Sequence, residues 1–229
     1  MNIAELLSNR ANYGAVRDLS SIRYIVVHYT ANDGDSSMGN ASYFAKNVVK
    51  ASAHYFVDSR SITRSVPENC VAYHCGADVY RHPNCRNGNS IGVELCDDNR
   101  NGKYDFSEAE LSLAAELIRD LMARYHIPPE NVIRHYDVTG KLCPAPFAKN
   151  ESAWQAFKQR LSPQQPDLTP EKEDQMVIYK TLADVPAWAR PTVEKLMVRG
   201  LLQGEGADLN LEHNSLRVLV INDRAGLYR

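Results

Sequence analysis

Two histidines and one cysteine are the residues of this chain whose types and positions suit a metal-dependent hydrolase. His28 closes the apolar run "IRYIVVHYT", and His135 and Cys143 lie in "VIRHYDVTGKLCPAP". A hydrolytic zinc ion needs three protein ligands and one open position for water, whose pKa it lowers to about 7. Spacing alone leaves open that each histidine is a hydrogen-bonded core residue. A zinc site is therefore possible if the fold brings the three side chains together.

The elements expected to position these residues alternate between strands and helices. This alternation predicts an α/β fold, in which helices flank a central mixed β-sheet. The pattern predicts strands at 22–30, 52–58, 61–66, 89–96 and 131–136, and helices at 40–49, 108–125 and 152–161. His28 and His135 fall near strand ends. In the strand 89–96, the period of two places Gly92, Glu94 and Cys96 on one face.

Capping residues set the expected helix ends. Asn40 is a plausible cap for the helix 40–49. Ser107 and Glu110 have the spacing of a capping box, in which each side chain satisfies a backbone donor at the other position. Pro128 ends the second helix because proline restricts the residue before it.

A polar, proline-containing stretch at 162–175 predicts a linker between a catalytic domain, 1–161, and a small helical module, 176–229. In the module, the first helix is expected to begin at Pro186 or Pro191 and to end at Gly200. A second helix is expected at 215–225, entered at Asn214 and stopped by Gly226. So small a module buries little core, which favours contact with a partner surface.

The overall composition excludes several classes of partner. The formal charge of −2 comes from 26 basic and 28 acidic residues, so nothing suggests a nucleic-acid-binding protein. The 44% hydrophobic content is that of a soluble globular protein. We expect no membrane span and no signal peptide, and hence a cytoplasmic protein that reaches the cell wall after membrane disruption.

The five cysteines are an odd number, so a complete disulfide framework is impossible and reduced thiols are expected. Whether Cys70, Cys75, Cys85 and Cys96 ever pair stays open. A second, structural zinc site using His82 and Cys85 is a weaker alternative, because the paired spacing of a zinc knuckle is missing.

Four segments carry a family resemblance, and they stand in the order "IRYIVVHYT", "SAHYFVD", "NSIGVELC" and "RHYDVTGKLCP". Residues 18–161 resemble the type-2 N-acetylmuramoyl-L-alanine amidases, which share their fold with peptidoglycan-recognition proteins. Phage endolysins and sporulation amidases are the most similar branch. The resemblance implies Zn²⁺ held by His28, His135 and Cys143. It also implies hydrolysis of the bond between N-acetylmuramic acid and L-alanine in bacterial peptidoglycan.

The resemblance also implies roles around the metal. Glu94 matches an acidic residue that could act as general base, and Lys141 matches a lysine that could stabilise the oxyanion. The alternatives are a carboxylate paired with an arginine and a solvated surface lysine. Some relatives carry a tyrosine where this chain has Ala53. Its polar assistance to the reaction is absent here or comes from another residue, which makes the role of Glu94 more important. His74 and His54 are candidate substrate-binding residues. The alternative for His74 is a surface role, and the alternative for His54 is a structural one.

The predicted module, 176–229, carries a second resemblance. Asp184, Trp188 and Gly204 stand where a surface-layer-homology repeat has matching residues. This resemblance implies binding of secondary wall polymers, and the alternative is a hairpin that forms a homo-oligomer.

As a whole, the sequence favours a phage or prophage endolysin for host lysis. A bacterial autolysin or sporulation amidase and a non-catalytic peptidoglycan-binding protein are the alternatives, although Cys143 argues against the last.

Overall fold

The computed structural model describes residues 2–96, 98–100, 103–162, 178–204 and 208–228. The chain forms two compact units, Met1–Gln164 and Gln165–Arg229, and each is described by itself. The predicted linker, 162–175, lies outside the described residues except for Ser162.

The first unit is built on a six-stranded mixed sheet. The strands of this unit are β1 (Ile3–Glu5), β2 (Tyr13–Val16), β3 (Tyr24–Tyr29), β4 (Tyr55–Val57), β5 (Ile62–Arg64), β6 (Cys70–Ala72), β7 (Ser90–Leu95), β8 (Asp98–Arg100), β9 (Lys103–Asp105) and β10 (Val132–Arg134). The sheet has the order β1-β5-β4-β7-β3-β10, while β2 pairs with β6 and β8 with β9. Within the sheet, β4 and β5 are antiparallel and the other neighbours are parallel. The predicted mixed sheet is confirmed.

Helices flank this sheet, and they begin and end largely where the sequence indicates. They are α1 (Ser37–Lys46), α2 (Glu108–Tyr125), α3 (His135–Thr139), α4 (Ala145–Ala148) and α5 (Glu151–Leu161). The Ser107 hydroxyl accepts the Glu110 N–H, as predicted for the start of α2. The cap predicted at Asn40 is wrong. Ser36 caps α1, and Asn40 is a buried residue inside the helix whose amide donates to Asp35.

The main core lies on one face of the sheet, between the sheet and the helices α2 and α5. Alternate residues of the two central strands, Ile25, Val27, Ile91, Val93 and Leu95, pack there against Leu117, Ile118, Leu121, Trp154 and Phe157. Each such buried side chain contributes roughly 1.5–3 kcal/mol. Because side chains alternate along a strand, His28 and Glu94 project from the opposite face. The site is therefore separated from the main core by the sheet.

A buried carboxylate ties the end of α2 to the sheet. Glu68 accepts two hydrogen bonds from the Arg124 guanidinium, at 2.7 and 3.0 Å, and one from each hydroxyl of Tyr55 and Tyr125. Burial by itself would raise the pKa of Glu68, but these donors outweigh it and hold the pKa below its ordinary value. The ionised form is therefore the one that the folded protein stabilises.

Glu68→Gln is expected to lower the free energy of unfolding at neutral pH by about 2–3 kcal/mol, since it removes a buried charged acceptor from Arg124 and from two tyrosine hydroxyls. A carboxylate whose pKa is lower in the folded state than in the unfolded state stabilises the fold at pH values above the unfolded-state pKa. This stabilisation is lost as the pH falls through the folded-state pKa. The difference in unfolding free energy between wild type and Glu68→Gln should thus be full above the ordinary pKa of 4.5 and should shrink in more acidic buffer. Urea unfolding at a series of pH values measures it. The exposed Glu130→Gln serves as control, and a difference independent of pH would contradict the assignment.

The second unit contains the two predicted helices and a short ribbon that the sequence did not indicate. Its elements are β11 (Ile178–Tyr179), α6 (Arg190–Val198), β12 (Leu211–Glu212) and α7 (His213–Arg224). The strands β11 and β12 pair antiparallel, and strands this short leave no periodic pattern. Gly200 and Gly226 follow the helices with φ of +70° and +74°, which confirms both predicted stops. The second helix begins at His213, slightly earlier than expected.

A compact apolar core holds this unit together. Its buried members are Tyr179, Val185, Ala189, Val193, Leu209, Leu211, Leu216 and Val220. Across the described parts of both units, no helix has the length and apolar character that a membrane span requires.

Candidate functional site

The three predicted metal ligands meet on the face of the sheet opposite the main core. His28 comes from the end of β3, His135 is the first residue of α3, and Cys143 follows α3 in a loop. Their exposed fractions are 1%, 6% and 3%. One donor atom from each lies within 4.8 Å of the others, and Cys143 Sγ is 3.7 Å from His28 Nδ1. Residues that are far apart in the chain thus form one cluster of buried donors.

The junction between β10 and α3 places His135. The predicted strand 131–136 is too long, because Asp137 accepts the Arg134 N–H and begins a helix at His135. The Arg134 guanidinium is buried and bonds to Asp137 and Glu151, at 2.8 Å each. His135 is therefore positioned by the end of β10 and by the ion pairs of the buried Arg134.

A tight return of the chain brings Cys143 back to the same place. Gly140 adopts a φ of +86°, a left-handed conformation that glycine enters without steric cost, and it ends α3. The Tyr136 N–H then donates to the Cys143 carbonyl at 2.8 Å. Gly140 therefore allows the chain to turn back after α3 and bring Cys143 to the cluster.

The two histidines are held in the neutral form that metal binding requires. Burial is the main cause that keeps the pKa of His28 well below its ordinary value, and repulsion from neighbouring histidines and Lys141 lowers it further. Burial, followed by the charge of Lys141, lowers the pKa of His135 to about 4. Nδ1 of His135 is buried and has no hydrogen-bond partner among the described residues.

This donor set fits zinc. Two imidazoles and a thiolate are a recognised zinc ligand combination, and adjacent donors of a tetrahedral zinc site lie about 3.5 Å apart. The 3.7 Å between Cys143 Sγ and His28 Nδ1 matches that spacing. A bound ion would also satisfy the unpartnered nitrogen of His135.

Glu94 lies beside the ligand cluster. The register of β3 on β7 places it directly opposite His28, and its Oε1 is 4.0 Å from His28 Nδ1. Its side chain is 21% exposed, so the carboxylate reaches both the cluster and solvent. This is the position that a general base for an attacking water needs.

Lys141 lies where two clefts meet. A cleft of about 690 Å³ is lined by Tyr73, His74 and His135, and one of about 780 Å³ by Tyr43 and Glu94; Lys141 lines both. Its charge lowers the pKa of His28 and His135, so the ammonium group is close to the cluster. A substrate that occupies both clefts would pass in front of the candidate metal centre.

The two remaining candidate histidines differ. His74 is half-buried and lines the first cleft, with Nδ1 at 3.0 Å from His28 Nε2. His54 is fully buried: its Nδ1 accepts the Gly92 N–H, and its Nε2 lies 2.9 Å from Arg17. The prediction that His54 binds substrate is therefore wrong for this structure, because neighbouring strands cover the ring completely. Its alternative, a structural role, is the one observed.

Position 53, where some relatives carry a tyrosine, has no hydroxyl in this chain. Ala53 is 1% exposed and packs against Ala41 and Phe56. Position 53 therefore contributes no polar group here, and Glu94 is the carboxylate next to the ligands.

The alternative of a second zinc site is not realised. His82 Nδ1 accepts the N–H groups of Asn84 and Cys85, which occupies its lone pair. In the described part of the chain, His28, His135 and Cys143 are the one cluster of three metal-binding side chains. All five cysteines are free thiols in this structure.

Comparison with known proteins decides the family. Residues 18–146 match the family described as N-acetylmuramoyl-L-alanine amidase, Amidase_2. The chain belongs to this amidase family. The matched region contains all three candidate ligands together with Glu94 and Lys141.

Individual relatives agree with this assignment. The amidase CwlL of Bacillus licheniformis is 36% identical over 154 residues, which cover 62% of this chain and 41% of CwlL. The chain thus spans much less than two thirds of that relative. The solved structure of PlyL is 29% identical, covers 70% of this chain and 97% of its own, and has a TM-score of 0.59. A mutant endolysin from Bacillus subtilis is 30% identical with a TM-score of 0.58, over 70% of this chain and 99% of its own.

The family match ends at residue 146, before the second unit. The resemblance of 176–229 to a surface-layer-homology repeat therefore stays a prediction. Its three marker residues are Asp184, Trp188 and Gly204, and Trp188 is 45% exposed.

Proposed function

We propose that this amidase-family chain uses zinc to hydrolyse the bond between N-acetylmuramic acid and L-alanine in peptidoglycan. The observation that carries the proposal is the cluster of His28, His135 and Cys143, whose donor atoms lie within 4.8 Å of one another in a family member. The retained cysteine disfavours a non-catalytic peptidoglycan-binding protein. The clefts on both sides of the cluster suit an extended substrate.

The side chains around the cluster have different roles in the proposed reaction. Zinc bound there would supply a water of lowered pKa and would polarise the scissile carbonyl. Glu94 accepts the proton of the attacking water on its carboxylate and then delivers it to the leaving nitrogen of L-alanine. Lys141 faces the negative charge that develops on the carbonyl oxygen.

Digestion of purified cell walls tests the reaction. The expected result is new amino-terminal alanine, which disappears with a chelator and returns when zinc is restored. New reducing sugar ends or new amino-terminal glycine would identify a different bond and overturn the proposal. Wall binding without any new amino termini would favour the non-catalytic alternative.

Lys141→Met is expected to lower kcat by about 100-fold, the effect of losing one oxyanion donor, with zinc content unchanged. Methionine keeps an unbranched side chain that is one heavy atom shorter, and it removes the charge. Initial rates on soluble muramyl peptides measure the loss. Lys149→Met, at an exposed lysine of the same unit, is the control, and equal rates for both variants would leave Lys141 without a role.

We further propose the setting of an endolysin that is held in the cytoplasm and acts on the wall after membrane disruption. The similarity to a solved endolysin supports this setting. An autolysin or sporulation amidase is the second candidate, since the family match fits either. Residues 176–229 would bind secondary wall polymers or join copies into a homo-oligomer. Wall pull-down and solution mass of the full chain and of residues 1–161 separate these two roles, and equal behaviour excludes both.

A further inference from the structure

A chain of three hydrogen bonds runs from His28 away from the candidate metal position. His28 Nε2 lies 3.0 Å from His74 Nδ1, and His74 Nε2 lies 3.0 Å from the Ser90 hydroxyl. The Ser90 hydroxyl donates to the backbone carbonyl of Arg86 at 2.7 Å. Neither Ser90 nor Arg86 was a candidate from the sequence.

The chemistry of these groups sets the direction of every bond. A carbonyl only accepts, so the single hydroxyl proton of Ser90 is committed to Arg86. Ser90 must then accept from His74, which places the His74 proton on Nε2 and leaves a lone pair on Nδ1. That lone pair accepts the Nε2–H of His28. The remaining lone pair of His28 is on Nδ1, the atom that faces Cys143 Sγ at 3.7 Å.

The surrounding structure holds this arrangement in place. Ser90 is fully buried on β7, in register with Tyr24 of β3. The His74 ring packs directly on Gly92, where an added Cβ would come within 2.6 Å of its Cγ. The rings of His74 and His28 are perpendicular, at 89°, with centroids 5.1 Å apart. Gly92 therefore provides the space that lets His74 reach His28.

We propose that His74 and Ser90 are positioning residues that fix the tautomer of His28 and aim its Nδ1 at the metal. This inference deepens the proposed zinc-dependent function and rests on it. It gives His74 a role beyond the cleft wall, and it assigns a role to Ser90. Partners of this kind commonly account for about 10–100-fold in metal affinity.

The variants Ser90→Ala and His74→Ala test the proposal in the full chain. Zinc affinity is measured by competition with a chelating dye, and the ring protonation of His28 by ¹⁵N NMR of the zinc-free protein. We expect Ser90→Ala to weaken zinc binding by about 10-fold and His74→Ala by about 10–100-fold. In wild type the ring proton should reside on Nε2, and in both variants the two tautomers should mix.

A conservative variant and a control sharpen the test. Asn Oδ1 can accept where His74 Nδ1 does, so His74→Asn should recover part of the zinc affinity lost in His74→Ala. Ser112→Ala changes an exposed serine on α2 and should leave affinity and tautomer as in wild type. If His74→Ala does not fold, Ser90→Ala, which leaves the His74 ring in place, decides.

Two results separate this inference from the proposed function. Unchanged zinc affinity and an unmixed tautomer in Ser90→Ala and His74→Ala, with a raised KM in the latter, would overturn the positioning role and identify a substrate contact. Zinc binding that depends on Ser90 and His74 in a protein that cleaves no wall would support the positioning role while the proposed reaction fails.

Discussion

Cys143→Ser is expected to abolish wall hydrolysis and to weaken zinc binding by more than about 100-fold, which exceeds the cost of losing an outer-shell partner. A thiolate is a soft, charged zinc ligand, whereas a serine hydroxyl stays protonated at neutral pH and binds zinc poorly. The substitution is close to isosteric, so the loop that returns to Tyr136 should persist. Bound zinc and hydrolysis rate are measured on the same preparation.

Cys70→Ser provides the matched control. Cys70 is also buried, but it packs in a separate cluster with Val66 and Ala72. This variant should retain both zinc and activity. Full zinc content and turnover in Cys143→Ser would contradict the ligand assignment, and equal losses in both variants would indicate general damage to the fold.

Glu94→Gln is expected to keep zinc and to lower kcat by about 10²–10⁴-fold, the range that general acid–base catalysis contributes. The amide preserves the shape of the side chain beside His28 but cannot accept the proton of the attacking water. Zinc content and steady-state rates on wall fragments measure the two properties separately.

Glu130→Gln, at an exposed carboxylate, is the control for the loss of one negative charge. Unchanged turnover in Glu94→Gln would remove Glu94 from the proposed mechanism. Loss of zinc together with turnover would instead place Glu94 among the groups that hold the metal. Cys143→Ser and Glu94→Gln therefore distinguish the residue that holds the metal from the residue that moves the proton.

The sequence by itself determined the local structure and the family likeness. The bounds of α2 follow from its helical period and from Ser107, and the left-handed stops at Gly200 and Gly226 follow from the conformational freedom of glycine. The period of two predicted that Gly92 and Glu94 share a face. These features depend on neighbours in the chain, so a single sequence carries them. The roles of the individual site residues came from the resemblance and not from their spacing.

Only the tertiary structure decided how distant segments meet. The register of β3 on β7 places Glu94 opposite His28, and strand pairing of this kind leaves no local pattern. The same pairing places Ser90 on the strand next to β3, and the segment after β6 brings His74 between Ser90 and His28. No motif in the sequence indicated this chain of hydrogen bonds. His54 shows the converse, since a histidine that the sequence offers to the substrate is fully covered by other strands. Exposure and contact depend on which remote segments pack over a residue, and that is a property of the fold and not of the residue's neighbours in the chain.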